Sequence, residues 1–279
     1  MAENERSTVS WIDRKGTKDV FKRWYSGGQD KRPFNIAVED AGEAEDIADY
    51  VRASYSDIRM GCVHIHWDSY QSESSIIEQL IQEFSRDSFP GTLKLLEEIR
   101  TLPTTVHLTQ SMGNTSTAGQ DVNLSGNMQS ANIQESSALA QLDDLLRRNI
   151  GNIVDQFIKE LTGAHKKCMV VLKQGHDQDG TGSRLRSWIY RGLVPRLCNS
   201  GARVVLVCSD RNVNWIESFP EAPFSILGEL TLAEAQEGVK VYSTHHESFC
   251  IGVVDHITEK VAYTSLKMSL VKLLTAASR

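Results

Sequence analysis

Phe34–Asp46 reads FNIAVEDAGEAED and runs on into IADYVRASY at 47–55. Phe34, Ile36 and Val38 alternate as a buried strand, a small-residue turn follows, and Ile47, Tyr50 and Val51 recur at helical spacing across 41–55. Between positions 39 and 46 stand five acids and no base. A strand feeding a helix through a tight turn is the opening unit of an α/β fold, and the rest of the chain repeats it.

Upstream, Val20, Phe21 and Trp24 predict a short helix from Thr17, ended by Gly27-Gly28. Downstream, GCVHIHWD (61–68) alternates as a second strand, with Val63, Ile65 and Trp67 on one side and His64 and His66 on the other. Helices follow at Ile76–Phe84 and Leu93–Ile99, the second expected to end before Pro103. KCMVVLKQ (167–174) and ARVVLVC (202–208) are continuous apolar strands of the kind buried on both faces. Between them Leu185, Trp188, Ile189, Leu193 and Leu197 mark a helix, which asks for a parallel crossover. FSILGEL (224–230) reads as one more strand, and Thr231 with Glu234 forms a capping box that opens a short helix. That helix is expected to stop at Gly238, with Val239 and Val241 extended, before helical periodicity returns over 249–277.

The 279 residues, 40% hydrophobic and 24% charged, suit a single globular α/β domain over 1–279, with a C-terminal helical cap at 231–279. A net charge of −6 argues against nucleic acid as partner, because backbone binding needs clustered Lys and Arg. No apolar run reaches the ~20 residues that span a bilayer, so no membrane is expected. The start MAENERSTVSWIDRKG has no apolar signal core, and five cysteines are an odd number set mostly in apolar runs. A cytoplasmic protein with reduced thiols is the expectation.

One segment departs in character. From Thr101 to Gln134 the only charged side chain is Asp121. The stretch 103–135 is expected to be either a loop inserted into the domain or a β-prone segment through which copies self-associate. Beyond it, Leu139, Leu142, Leu146, Ile150, Ile153, Phe157 and Leu161 define one long amphipathic helix, or two meeting near Gly151.

The chemistry of Phe34–Asp46 is legible against the pattern G-x-x-x-x-G-K-[ST], in which glycine N–H groups cradle phosphates, Lys meets the β and γ oxygens and a hydroxyl ligates magnesium. Laid over it, Gly42 and Ala44 fall where small residues are wanted. Glu39 takes the first glycine, Glu45 the lysine and Asp46 the hydroxyl. These acids would repel a triphosphate at short range. The strand Met169–Leu172 should end in a magnesium-binding Asp, and Lys173 and Gln174 stand there instead. Both halves of the magnesium-phosphate machinery are thus substituted together.

The Trp11–Arg14 start, the strand 34–38, the strand-and-turn 169–177, WIYRGLVPRL (188–197) with ARVVLVCSD, and LGELTLAEA (227–235) together resemble the STAND branch of P-loop NTPases in its degenerate, inactive form. The resemblance implies a parallel sheet in the order 5-1-4-3-2 flanked by helices, and no cofactor, catalytic residue or metal site. It also implies a non-catalytic adaptor or scaffold that works through protein contacts with a partner or effector subunit in bacterial defence, antiviral or signalling systems. The rival reading is an atypical nucleotide-binding switch or NTPase with a non-standard phosphate site, its charge supplied by Lys31, Lys173 or an arginine from another subunit. The rival needs a base facing Gly42.

Other constellations carry less. His64 with His66, and His245 with His246, lack a Cys or carboxylate at ligand spacing and read as solvent-facing. Gly180–Ser183 has a phosphate-loop look without a lysine, Asp177-x-Asp179-Gly180 is too short for a calcium loop, and no G-x-S-x-G elbow occurs. Arg184, Arg186 and Arg191 make one helix basic, either as a solvated face or as a contact for an acidic protein surface.

Overall fold

A computed structural model describes residues 14–27, 31–55, 57–67, 71–113, 127–174, 183–208, 218–243 and 261–277. The chain divides into two compact units, Met1–Gln71 with Lys167–Arg279, and Ser72–Lys166. The sequence suggested a single domain; the second unit is inserted between two neighbouring strands of the first.

The first unit is α/β. Its strands are β1 (Phe34–Val38), β2 (Arg59–Ile65), β3 (Cys168–Gln174), β4 (Arg203–Cys208) and β5 (Phe224–Leu227). They form one sheet in the order β2-β3-β4-β1-β5, and every pairing is parallel. Read from β5 this is 5-1-4-3-2. The interior strands are the most buried ones: all five residues of β1, Asn35 among them, are buried, and β4 exposes only part of Arg203. The edges β2 and β5 alternate or lie half open, as strands with one protected side do.

One face of the sheet presents Phe34, Ile36, Val38, Met169, Val171, Val205 and Val207 to a shared core. The helix α1 (Lys15–Ser26) adds Phe21 and Trp24, and α2 (Ala41–Ser54) adds Ile47, Ala48 and Val51. The helices after β5 complete that core with Ala235, Val239, Tyr263, Leu266 and Leu270. Alternation sends Val170, Leu172, Gln174, Val204 and Leu206 the other way. On that side a helical run follows β3: α6 (Ser183–Trp188), a π-helical turn (Ile189–Leu193) and α7 (Val194–Asn199), which packs on β4. The π turn precedes Pro195, whose missing N–H breaks the ordinary i→i−4 ladder.

The second unit is helical, with α3 (Glu73–Phe84), a 3-10 turn (Arg86–Ser88), α4 (Pro90–Gly113) and α5 (Asn127–Ala164). Ser72 and Ser75 cap α3 reciprocally, and Phe89 stacks on Phe157 with centroids 5.1 Å apart. Where the sequence suggested a loop or β-prone stretch at 103–135, residues 103–113 extend α4 past Pro103 and 127–135 open α5; 114–126 lie outside the described residues. The periodic segment that follows is part of one helix through Gly151.

After β5 come α8 (Leu232–Ser243) and α9 (Tyr263–Ala277). The Thr231 capping box is present, with the Glu234 amide donating to Thr231 Oγ1 and the Thr231 amide donating to Glu234 Oε2. Gly238 does not stop α8, and Val239 and Val241 are helical rather than extended. A single glycine costs a helix only about 1 kcal/mol, which burial of Ala235 and Val239 offsets. Residues 244–260 are outside the described set; Val261 pairs with Leu230 in an isolated antiparallel bridge, so the last helix begins beyond it. No helix of the described residues is long and apolar enough to cross a membrane.

Candidate functional site

The turn between β1 and α2 is two residues long, Glu39 and Asp40. Gly42, Ala44, Glu45 and Asp46, which align with the phosphate-loop pattern, therefore lie inside the first turns of α2. A loop that curls several N–H groups around a phosphate has no room there. Asp40 is extended (φ −106, ψ 117) and caps α2, its Oδ1 accepting from the Gly42 amide at 2.9 Å.

The same carboxylate starts a second helix. Oδ2 accepts from the Thr264 amide at 2.8 Å, and Oδ1 accepts from the Thr264 hydroxyl at 2.5 Å. One Asp thus holds the N-termini of α2 and α9 together. Helix N-termini attract anions, and Asp40 is the anion supplied here by the chain itself. Burial alone would raise its pKa, but the hydrogen bonds from Thr264, Gly42 and Glu43 outweigh that and hold it below the ordinary carboxylate value. The Gly42 position follows from this closeness: a Cβ there would lie 2.6 Å from Thr264 Oγ1.

The remaining acids of the stretch are drawn to residues far away in sequence. Glu43, 1% exposed, takes a forked pair of bonds from Arg14, Nε to Oε1 at 2.8 Å and Nη2 to Oε2 at 3.0 Å. Arg14 Nη2 also donates to the Gly228 carbonyl at 2.6 Å, and Nη1 reaches Glu234 at 3.4 Å. Burial disfavours the guanidinium charge, but Glu43 and Glu234 more than compensate and raise the Arg14 pKa. Asp46 is buried and accepts from the Tyr263 hydroxyl at 2.5 Å and from Lys267 Nζ. Glu45, on the open side, meets Lys173 Nζ at 2.6 and 2.5 Å. Glu39 is exposed, with its carboxylate about the Gly228 backbone.

Glu45 and Lys173 occupy the aligned places of the phosphate-loop lysine and the magnesium-binding acid, so the two meet with their charges exchanged. Gln174, the other aligned position, is buried and accepts from the Tyr190 hydroxyl at 2.6 Å, on the opposite side of the sheet from Lys173. Burial pushes the Tyr190 pKa up. The turn at 175–182, including Gly180, Asp177 and Asp179, lies outside the described residues, as do His245 and His246.

The structure separates the other candidates. Arg184 and Arg191 are exposed on the helical run after β3, while Arg186 lies over the Trp67 ring, 5.0 Å from its centroid. His64 and His66 are exposed and stack, with centroids 4.4 Å apart and planes 15° apart. Partial burial, then the neighbouring His66 and Lys173, lower the His64 pKa. No group of three or more His, Cys, Asp or Glu is placed to hold a metal ion among the described residues. Cys62, Cys168, Cys198 and Cys208 are not joined in disulfides, and burial pushes the Cys168 thiol up to about 11.

Sequence reading found the acids but missed their partners. Arg14 stands in the Trp11–Arg14 start but was given no role there, Tyr263, Thr264 and Lys267 carry no motif, and the signal for a partner was the charge imbalance itself: five clustered acids on a partly buried helix start require bases from elsewhere. Compared with known proteins, the chain matches no family model and no curated protein.

Proposed function

We propose that the chain is a non-catalytic scaffold or adaptor on a P-loop-like fold, working through contacts with a protein partner or effector subunit. The observation that carries this reading is the double cap at Asp40. The position where a nucleotide's phosphate would meet the α2 N-terminus is taken by a carboxylate of the chain, bonded to Gly42 and Thr264. Arg14, Lys173 and Lys267, bases that reach the acids around this turn, are paired with Glu43, Glu45 and Asp46. The nucleotide-switch reading needs a base facing Gly42, and the groups that face it are Thr264 and Asp40. Protein contact is supported by the edge strand β5, whose Phe224 and Ile226 are 50% and 58% exposed, and by the exposed Arg184 and Arg191. The resemblance to degenerate STAND domains supports a cytoplasmic role in bacterial defence or signalling.

Isothermal titration with ATP, ADP and GTP, with and without magnesium, tests the reading. No saturable heat at millimolar ligand is expected; saturable binding sinks the scaffold account in favour of the switch.

A further inference from the structure

The strand β5 is an edge of the sheet, and its outer side has a definite hydrogen-bonding pattern. The Asn35 amide donates to the Pro223 carbonyl and the Glu39 amide to the Leu227 carbonyl. With Asn35 opposite Phe224 and Ala37 opposite Ile226, the ladder to β1 therefore uses the peptide groups of Pro223, Ser225 and Leu227. Those of Phe224 and Ile226 turn outward, and a row of outward N–H and C=O groups is a template for another strand. Just beyond β5 the chain itself pairs in this way: Leu230 and Val261 exchange both bonds in an antiparallel bridge.

The side chains follow the same alternation. Leu227 belongs to the core shared with α2 and α8, whereas Phe224 and Ile226 project from the opposite face and are exposed. They are two of the four exposed large hydrophobic side chains among the described residues, and both stand on one strand of four residues. An extended segment matches this edge, its backbone taking the outward bonds and its alternate side chains covering Phe224 and Ile226.

Charge selects the kind of segment. Glu221 before the strand and Glu229 after it are exposed, as is Glu39, whose carboxylate lies by Gly228. Arg32, 3.7 Å from the Glu221 carboxylate, offsets one of these three acids. Antiparallel pairing of β5 with a second copy, Phe224 opposite Ile226, sets Glu221 opposite Glu229 at both ends, and like charges directly opposite destabilise a strand pair. A segment with Lys or Arg at its ends meets the same acids favourably.

We propose that the outer edge of β5 takes an extended, alternately apolar segment of a partner protein with basic residues at its ends, added to the sheet as a further strand. This rests on the scaffold reading and names the chemistry of the partner.

The test is fluorescence anisotropy of the full chain with a labelled peptide of alternating valine and threonine carrying two lysines at each end. Its counterparts are the same peptide with glutamates at the ends, and the lysine peptide N-methylated through its central residues, which removes the amide donors. Saturable binding of the lysine peptide is expected, with each counterpart weaker by about tenfold or more. Ile226→Lys should weaken the lysine peptide to a similar degree and, because Ile226 is exposed, keep the wild-type thermal midpoint. Met268→Lys, at an exposed apolar residue of α9, should bind as the wild type does. Absence of saturable binding overturns the proposal. So do equal affinities for the lysine and glutamate peptides, binding indifferent to N-methylation or to I226K, or a concentration-dependent dimer of the chain that I226K dissociates. Each of those results leaves the scaffold reading standing, whereas saturable ATP binding removes that reading whatever the peptides do.

Discussion

Two helices in this protein begin in closely similar ways, and their difference shows what is special about the first. Both α2 and α4 have glycine as their second residue, at Gly42 and Gly91, and both have a carboxylate on the first-turn amides. At α4 the acid is Glu160, which accepts from the Gly91 amide at 2.7 Å, the Thr92 amide at 3.0 Å and the Thr92 hydroxyl at 2.6 Å. That is a remote cap and no more: one acid from α5 serves one helix. At α2 the capping acid is local but shared, since Asp40 serves α9 as well, and Glu43 and Asp46 gather Arg14, Tyr263 and Lys267 around it. An acid at a helix start is therefore an ordinary capping device. The convergence of residues from both ends of the described chain is what distinguishes the α2 junction.

The largest test of that distinction removes the base from the most buried pair. Arg14→Met should cost about 3–5 kcal/mol in urea denaturation, because it strands the buried Glu43 carboxylate. Adding Glu43→Leu should recover most of the loss, since an apolar pair of similar volume needs no charge compensation. If R14M alone costs under about 1 kcal/mol, on the scale of a surface ion pair, the junction does not hold the fold.

A smaller effect compares the glycines. Gly42→Ala places a methyl against Thr264 Oγ1, which Asp40 pins, and should cost about 1–3 kcal/mol. In a Thr264→Ala background the same change should become nearly neutral, giving a measurable coupling energy in a double-mutant cycle. Gly91→Ala meets the end of Gln156, which can swing aside, and that of Glu160, which yields only by loosening its cap on α4; it should cost about 1 kcal/mol, the scale of one cap, and less than Gly42→Ala. Equal costs at the two glycines would erase the comparison.

Acidification probes both caps together. The folded-state pKa of Asp40 is held below its ordinary 3.8 and that of Glu160 below its ordinary 4.5, chiefly by the hydrogen bonds that overcome burial. A depressed carboxylate pKa stabilises the fold above the unfolded-state value, and that contribution fades as pH falls towards the folded one. Stability should thus be flat near neutrality and decline below about pH 4.5. The penalty of Glu160→Gln should begin to shrink at higher pH than that of Asp40→Asn. The smallest effect belongs to Lys173→Ala, whose partner Glu45 is 57% exposed; about 0–1 kcal/mol is expected, diminishing with salt.

The sheet was readable because β3 and β4 are continuous apolar runs, the pattern of strands covered on both faces, and because Phe34, Ile36 and Val38 alternate in β1. The start of α8 was readable because a capping box is local, spanning Thr231 to Glu234. Helix ends were harder. Pro103 and Gly238 look like breakers, yet α4 and α8 run through them; at Gly238 the burial of Ala235 and Val239 outweighs a local penalty of about 1 kcal/mol. The candidate site was half legible: the acids of 39–46 are adjacent in sequence, but Thr264 lies 224 positions from Asp40 and Arg14 lies 29 from Glu43. No local pattern encodes such distances.

Hydrogen exchange at the Gly42 and Thr264 amides, measured with and without millimolar magnesium-ATP, tests the shared cap most directly. Both amides are bonded to Asp40, so slow exchange of the pair, released together in Asp40→Ala and indifferent to nucleotide, is the predicted result. Fast exchange at Thr264 in the wild type, or protection at Gly42 that grows with ATP, would contradict a junction closed by the chain's own carboxylate.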